Sequence, residues 1–440
     1  MKVQHLPRLT AVALGLAFAA SGAQATNGYF AHGYGIKAKG MGGAAVAMTH
    51  DAFAGANNPA AAAFAGNRWD LGVDVFSPKR SATRVGSGPF SAPLPPSIDG
   101  TAESGKEHFL VPEFGYNVAY SDKIGLNLTV YGNGGMNTEY PSGTLFGGQR
   151  NLLLGNRKLG VDLMQLIVAP TVAYKLTDQA AIGVSPLFVY QKFKAYGLSA
   201  FSDASVAPQS LTDKGSDSST GLGVRLGYLN QVSDGVAIGA SYSPKVGMSK
   251  FDKYKGLFAD GGDFDIPANY AVGMSIKATS TVTVALDYQR IEYSGVASVS
   301  NPQNNLFKQD GSGALGMPGG AGFGWQDINV VKLGVQWEAS PSVTLRAGYN
   351  RGDNPIRSQD VTFNILAPGV MEQHFTFGGT MKLSKTDEIS GFFMHARSNS
   401  VSGNSMIGPW LTQDPTSTAG GQETIKMSQN SLGLQYSKKF

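Results

Sequence analysis

The 440-residue chain has no cysteine, few charged residues and no long apolar run beyond its first twenty residues. Without cysteine it forms no disulfide, so hydrogen bonds and packing alone must hold the fold. Small exported domains seldom manage that, whereas a large closed sheet does. The most apolar later stretch, Leu159 to Leu176, is broken by Asp162, Gln165, Pro170 and Lys175. That excludes the ~17–25 apolar residues of a spanning helix. The histidines (His5, His32, His50, His108, His374 and His395) do not pair at metal-ligand spacing. A Gly-x-Ser-x-Gly elbow, a His-Glu-x-x-His motif and a Walker loop are all missing. No catalytic residue, metal or cofactor is expected.

The first residues supply Lys2 and Arg8, an apolar run from Leu9 to Ala20, and small residues at Ala23 and Ala25. This is the pattern of a secretory signal peptide, residues 1–25, cleaved after Ala25. Beyond it 33 basic residues face 31 acidic ones, a near balance that argues against a nucleic-acid partner. The 58 glycines and 10% aromatics fit a glycine-rich β protein. An exported chain with no helical anchor that is still not hydrophilic fits a transmembrane β-barrel.

Period-two alternation supports the barrel. Leu222, Val224, Leu226 and Tyr228 alternate with Gly221, Gly223, Arg225 and Gly227, and Val282, Val284, Leu286 and Tyr288 with Thr283, Ala285, Asp287 and Gln289. A soluble sandwich would alternate as well, but connection lengths separate the two. Fourteen strands are expected near 69–77, 108–120, 124–140, 160–176, 180–195, 219–231, 235–252, 267–278, 282–297, 325–338, 342–351, 372–384, 387–401 and 428–440. Every second connection is a tight turn, and the others are long and polar or rich in Gly and Pro. One rim of turns and one of loops, with an even strand count, is the arrangement of an antiparallel outer-membrane barrel. Tyr120, Tyr174 and Trp337 beside the short turns suit an interfacial girdle. Fourteen strands make a cylinder roughly 28 Å across, too wide for wall side chains to fill. Residues 26–66, rich in Gly, Ala and Asn and without strand or helix periodicity, are therefore expected to form a plug inside a barrel spanning 67–440.

Several residues then resemble the FadL/TodX outer-membrane transporters of long-chain fatty acids and other hydrophobic molecules. These are Gly35-Ile-Lys-Ala38 and Gly40-Met-Gly42-Gly43-Ala44, then Asp51 and the hatch signature Asn58, Pro59 and Ala60. Val111-Pro112 through Tyr120-Ser121-Asp122 to Gly132-Asn133-Gly134-Gly135-Met136 follow, then Trp325-Gln326-Asp327 and Phe393-Met394-His395. The resemblance covers the mature chain. It implies a fourteen-stranded barrel with an N-terminal hatch, in the outer membrane, contacting outer-membrane lipids and working as a monomer. It also implies capture of a long-chain fatty acid or related hydrophobic molecule at the third and fourth extracellular loops. These correspond to 196–218 and 253–266, where Leu198, Phe201, Leu257 and Phe258 stand. Release is implied to be sideways, through a kink in the third wall strand.

The residues themselves supply candidates for these steps. Gly132, Gly134 and Gly135, flanking Asn133, interrupt an otherwise apolar strand and mark a bend or bulge. Arg225, Lys332 and Arg346 fall on lumen-facing positions. They are read either as headgroup contacts or as partners of Asp70, Asp74, Asp287 or the plug. Tyr29 and Phe30 are read as contacting a ligand tail or packing on the wall. Two further functions stand beside fatty-acid uptake: an aromatic hydrocarbon channel of the same fold, and a barrel-embedded lipid hydrolase using His374 or His395.

Overall fold

A computed structural model describes residues 26–90, 96–145 and 147–440 of the chain. The expected signal peptide, 1–25, lies outside the described residues. Among the described residues fifteen strands form one antiparallel sheet. They are β1 (Arg68–Val85), β2 (Gly100–Glu103), β3 (Phe109–Ala119), β4 (Ile124–Asn137), β5 (Gly160–Lys175), β6 (Ala180–Tyr196), β7 (Asp217–Ser233) and β8 (Val236–Ser243), followed by β9 (Asn269–Lys277), β10 (Val282–Ile291), β11 (Ile328–Glu338), β12 (Val343–Gly352), β13 (Gln373–Lys382), β14 (Asp387–Asn404) and β15 (Gln422–Lys439). Pairing of β15 with β1, from Arg68↔Lys439 to Val85↔Gln422, closes the barrel. The short β2 pairs with the loop-side end of β1, leaving fourteen wall strands and one extra.

The outward face is apolar where it meets lipid. Leu222, Leu226, Leu286, Leu345, Phe377 and Leu434 are exposed, a distribution that water would penalise and a bilayer favours. Tyr120, Tyr174 and Trp337 are exposed beside the short turns, as expected of a girdle. The C-terminal Phe440 stacks on Tyr116 at 5.7 Å, and Lys438 pairs with Asp387 at 3.4 Å.

Strand bounds depart from the sequence expectation where the outward residues stop being apolar. β1 runs eight residues past Ser77, and β15 begins six residues before 428. Their outward positions there are Ser77, Lys79, Ser81, Thr83, Lys426 and Thr424, which face water rather than lipid, so hydropathy loses the strand while the ladder continues. In the other direction, β8 ends at Ser243 and not near 252, and β10 at Ile291 and not near 297. The missing residues turn into loop: Val246 pairs alone with Ile266, and Tyr293–Gly295 forms one 3₁₀ turn.

Residues 26–66 form no strand of the sheet and meet it in a single isolated bridge, Phe30 with Gly134. They contain two short helices, α1 (Ile36–Lys39) and α2 (Ala54–Asn57), and a 3₁₀ helix at Pro59–Ala63. Most are buried against the inward faces of the strands. Glycines on those faces give the segment room. A Cβ at Gly183 would lie 2.4 Å from the Pro59 carbonyl carbon, and one at Gly348 would lie 2.0 Å from the Gly42 nitrogen.

Candidate functional site

Asn58, Pro59 and Ala60 anchor the inner segment. The Asn58 side-chain oxygen accepts from the Ala60 N–H at 3.1 Å, capping the 3₁₀ helix that Pro59 begins. Its amide donates to the carbonyls of Val46 (2.7 Å) and Tyr228 (2.9 Å), tying the turn to β7. Deeper in, Lys39 lies between Asp74 (3.1 Å) and Glu113 (3.0 Å), and Lys37 pairs with Glu388. Burial disfavours the Lys39 ammonium, but Glu113 and then Asp74 outweigh it and hold its pKa above the usual lysine value. Burial also keeps the His32 imidazole neutral, with His374 stacked beside it at 6.2 Å.

Of the three expected lumen cations, Arg225 bonds directly to the inner segment, Arg346 bonds to the wall, and Lys332 faces a wall carboxylate that holds the segment. Arg225 donates to the carbonyls of Gly55 (3.2 Å) and Ala56 and to the Tyr131 hydroxyl (3.1 Å). Arg346 donates to Gln336 (3.0 Å) and Thr380 (2.7 Å). Lys332 stands opposite Asp287, whose carboxylate accepts from the N–H groups of Ala45 (2.7 Å) and Val46 (3.0 Å). Replacing Arg225 with Met is expected to leave two buried carbonyls unsatisfied and to loosen residues 53–58 by about 1–3 kcal/mol. Faster amide hydrogen exchange confined to that stretch would show it. Unchanged exchange with selective loss of carboxylate binding would instead make Arg225 a headgroup contact.

The four loop residues come together. Leu198, Phe201, Leu257 and Phe258 line one cavity of about 40 Å³, with Phe193, Leu211, Phe323, Phe363 and Leu366. That is a few times the ~10–15 Å³ that one water requires, and none of the lining residues is charged. From this cavity a chain of rings runs inward: Phe193 to Phe258 (4.7 Å), Phe258 to Phe264 (4.9 Å), Phe264 to Tyr29 (6.0 Å) and Tyr29 to Phe30 (5.4 Å). Tyr293 and Trp325 flank Tyr29 at 5.2 and 5.8 Å. Phe264, Tyr293 and Trp325, which complete this chain of rings, are not among the candidates that the sequence supplied. Trp325 did stand in a recognisable motif, but no periodicity marks a loop aromatic that turns inward.

The chain of rings ends at the glycine cluster. β4 pairs with β3 only from Phe114↔Val130 to Ala119↔Gly125. Beyond that point β4 pairs with β5 alone, with a bulge between Gly132 and Gly134. The inner segment fills the vacated ladder. Ala31 donates to the Asn133 carbonyl at 3.1 Å, and Gly135 donates to the Tyr29 carbonyl at 3.0 Å. Asn133, the extra residue of the bulge, donates through its side chain to Gln165 (2.8 Å) and accepts from the Tyr34 hydroxyl (3.1 Å). Thus Tyr29 and Phe30 both end the ring path and stop the gap in the wall.

The hydrolase candidates do not come together with a serine. His374 faces inward beside His32. His395 lies on the outer wall, sharing a 2.9 Å hydrogen bond with Asn430.

A closed barrel with an apolar outer belt, turns on one rim, loops on the other and an inward apolar path defines an outer-membrane transport channel for hydrophobic molecules. The chain belongs to the family described as outer membrane protein transport protein (OMPP1/FadL/TodX), which matches residues 12–440. Members of this family are channels and not enzymes, and they reside in the outer membrane. Among solved structures, the fold is similar to the Pseudomonas putida toluene transporter TodX (19% identity, 93% of this chain and 99% of that one, TM-score 0.66). It is likewise similar to the Ralstonia pickettii toluene transporter TbuX (19% identity, 93% and 99%, TM-score 0.61). A Pseudomonas aeruginosa FadL homologue aligns over 94% of this chain and 100% of its own at 14% identity and TM-score 0.67. A comparison with curated proteins returns no match.

Proposed function

We propose that this transporter takes up small neutral hydrophobic molecules, with monoaromatic hydrocarbons as the best-fitting class. The ligand enters the loop cavity, passes along the rings to Tyr29 and Phe30, and leaves sideways at the β4 bulge once the hatch, residues 26–66, shifts. The uncharged lining of the cavity carries this reading. A carboxylate there would lose its hydration without an ion partner, which is costly, while Arg225 and Arg346 are hydrogen-bonded to the hatch and the wall and Lys332 stands opposite Asp287. The reading also agrees with TodX and TbuX, which are toluene transporters.

Long-chain fatty acids stand as the second reading on one observation. Arg80 is buried and has no ion pair among the described residues. It donates to the Asn137 carbonyl and lines a cavity of about 20 Å³ with Met136, Trp325 and Met427 beside the bulge. Displacement of a fluorescent naphthylamine probe from the purified barrel separates the two. Toluene is expected to displace it at least about tenfold more effectively than palmitate does, since burial of an unpaired carboxylate opposes palmitate. Replacing Phe201 and Phe258 with Ala should abolish the toluene effect. Stronger displacement by palmitate, lost in Arg80→Met, would overturn the neutral-ligand reading.

A further inference from the structure

The outer wall over β14, β15, β1 and the hairpin ends of β2 and β3 changes character in rows. The strand registers place Phe393, Leu432, Val75 and Leu110 side by side, all exposed, as the last apolar row. One step toward the loops, about 7 Å higher, stand His395, Asn430, Ser77 and His108. They are linked in pairs, His395 to Asn430 at 2.9 Å and Ser77 to His108 at 3.0 Å. Next come cations. Lys79 lies opposite Ser428 on one side, and the β14 bulge between Ala396 and Asn399 exposes Arg397 on the other. Lys426 follows one step higher, opposite Ser81. Above the cations is a row of hydroxyls, with Ser402 bonded to Thr424 (2.7 Å) and Thr83 to Thr101 (3.0 Å).

All three cations are exposed, and among the described residues no ion pair joins any of them to an acid. Glu103, opposite Ser81, is the neighbouring outward carboxylate and leaves them unpaired. Some wall cations are matched, Lys438 by Asp387 and Arg290 by Asp327, and others such as Lys192 and Arg351 stand exposed on strands apart from these three. Three unpaired cations, separated from a lipid-facing apolar edge by one polar row, form a positive site at headgroup depth, where basic side chains attract anionic lipid.

We propose that this patch binds the phosphorylated headgroup of an outer-leaflet glycolipid. The acyl chains lie on the Phe393–Leu432–Val75–Leu110 row, a phosphate is held by Lys79, Arg397 and Lys426, and sugar hydroxyls meet the Ser402–Thr424–Thr83–Thr101 row. The vertical order apolar, cationic, hydroxyl matches the order of parts in such a lipid. The site is separate from the transport path, since every residue in it faces outward.

The test uses the full-length barrel in mixed micelles with a bis-phosphorylated diglucosamine lipid and its dephosphorylated form as probes, read by native mass spectrometry. The intact protein should hold the phosphorylated lipid. Simultaneous Lys79→Ala, Arg397→Ala and Lys426→Ala should weaken it roughly a hundredfold, at about fivefold per cation. Lys382→Ala, an exposed cation at the opposite rim, should leave binding unchanged. Heat-modifiable migration on gels confirms that each variant is folded, and single Arg397→Ala, with an expected fivefold loss, serves if the triple variant is not. Equal binding of the two lipids, or no loss in the variants, would overturn the site as merely solvated charge. Competition by inorganic pyrophosphate as strong as by the lipid would overturn the lipid assignment in favour of free phosphate.

Discussion

Deletion of residues 27–60 is expected to raise single-channel conductance in a planar bilayer by more than about tenfold while the barrel still folds. Wall side chains do not fill a fourteen-strand cylinder, so removing the segment within it leaves a water channel. The wall carboxylates it contacts, Asp74, Glu113, Asp287 and Glu388, would lose those contacts, although Glu388 keeps Arg68 and Asp74 keeps Ser431. Water entering the lumen would solvate them, so the penalty of an orphaned buried charge is not incurred. Closure depends on β1 pairing with β15 through eighteen registered residues, none of them in the segment. Heat-modifiable migration together with conductance checks both halves of the expectation. A variant that fails to fold would show the segment to be a structural core and not a removable hatch.

Replacing Gly134 and Gly135 with Val is expected to reduce uptake of a hydrophobic ligand by at least about tenfold. A Cβ at Gly134 would fall 1.7 Å from the Tyr29 carbonyl oxygen, far inside contact distance. Backbone cannot yield as a flexible side chain can, so residues 29–31 would leave the ladder they complete beside Asn133 and Gly135. The strand, freed of its bulge glycines, would favour the straight pairing with β3 that closes the wall. On the proposed route, the ligand would then lose both the ring terminus and the outlet. Gly379→Ala is the control, since its Cβ meets the Thr344 carbonyl oxygen and a Leu345 methyl at ordinary distances of 3.5 and 3.6 Å. Initial uptake rates in cells expressing equal amounts of each variant measure the effect. Uptake at the intact rate in the double Val variant would remove the bulge from the transport path.

The two substitutions of largest effect fall where local pattern and tertiary contact meet. Glycines at 132, 134 and 135 are visible in the sequence as a disturbance in an apolar strand. What the disturbance accommodates, a two-residue edge from a segment a hundred positions earlier, is not. Similarly, Leu198, Phe201, Leu257 and Phe258 stand out as apolar residues in polar loops, but their convergence on one cavity depends on how separate loops fold over the barrel mouth. Arg225, Lys332 and Arg346 are legible as inward-facing cations from alternation alone. Their surroundings, the carbonyls of Gly55 and Ala56, the Gln336 amide and Thr380 hydroxyl, and the facing Asp287, come from strand pairing and closure that the sequence alone does not show.

By itself the sequence determined the class of fold, the strand order and the split between a turn rim and a loop rim. Those features rest on period-two burial and on connection length, which are local properties that lipid on one side and a lumen on the other impose on each strand. Tertiary structure alone decided how far β1, β14 and β15 rise beyond the membrane. The outward residues there are as polar as a loop, and only pairing with a neighbour makes them strand. It also decided that Arg225 bonds to the inner segment and that four loop residues converge on an uncharged cavity. The physical reason is the same in each case: a buried polar group is satisfied by whichever partner the closed barrel brings near, and closure joins residues that the chain keeps hundreds of positions apart.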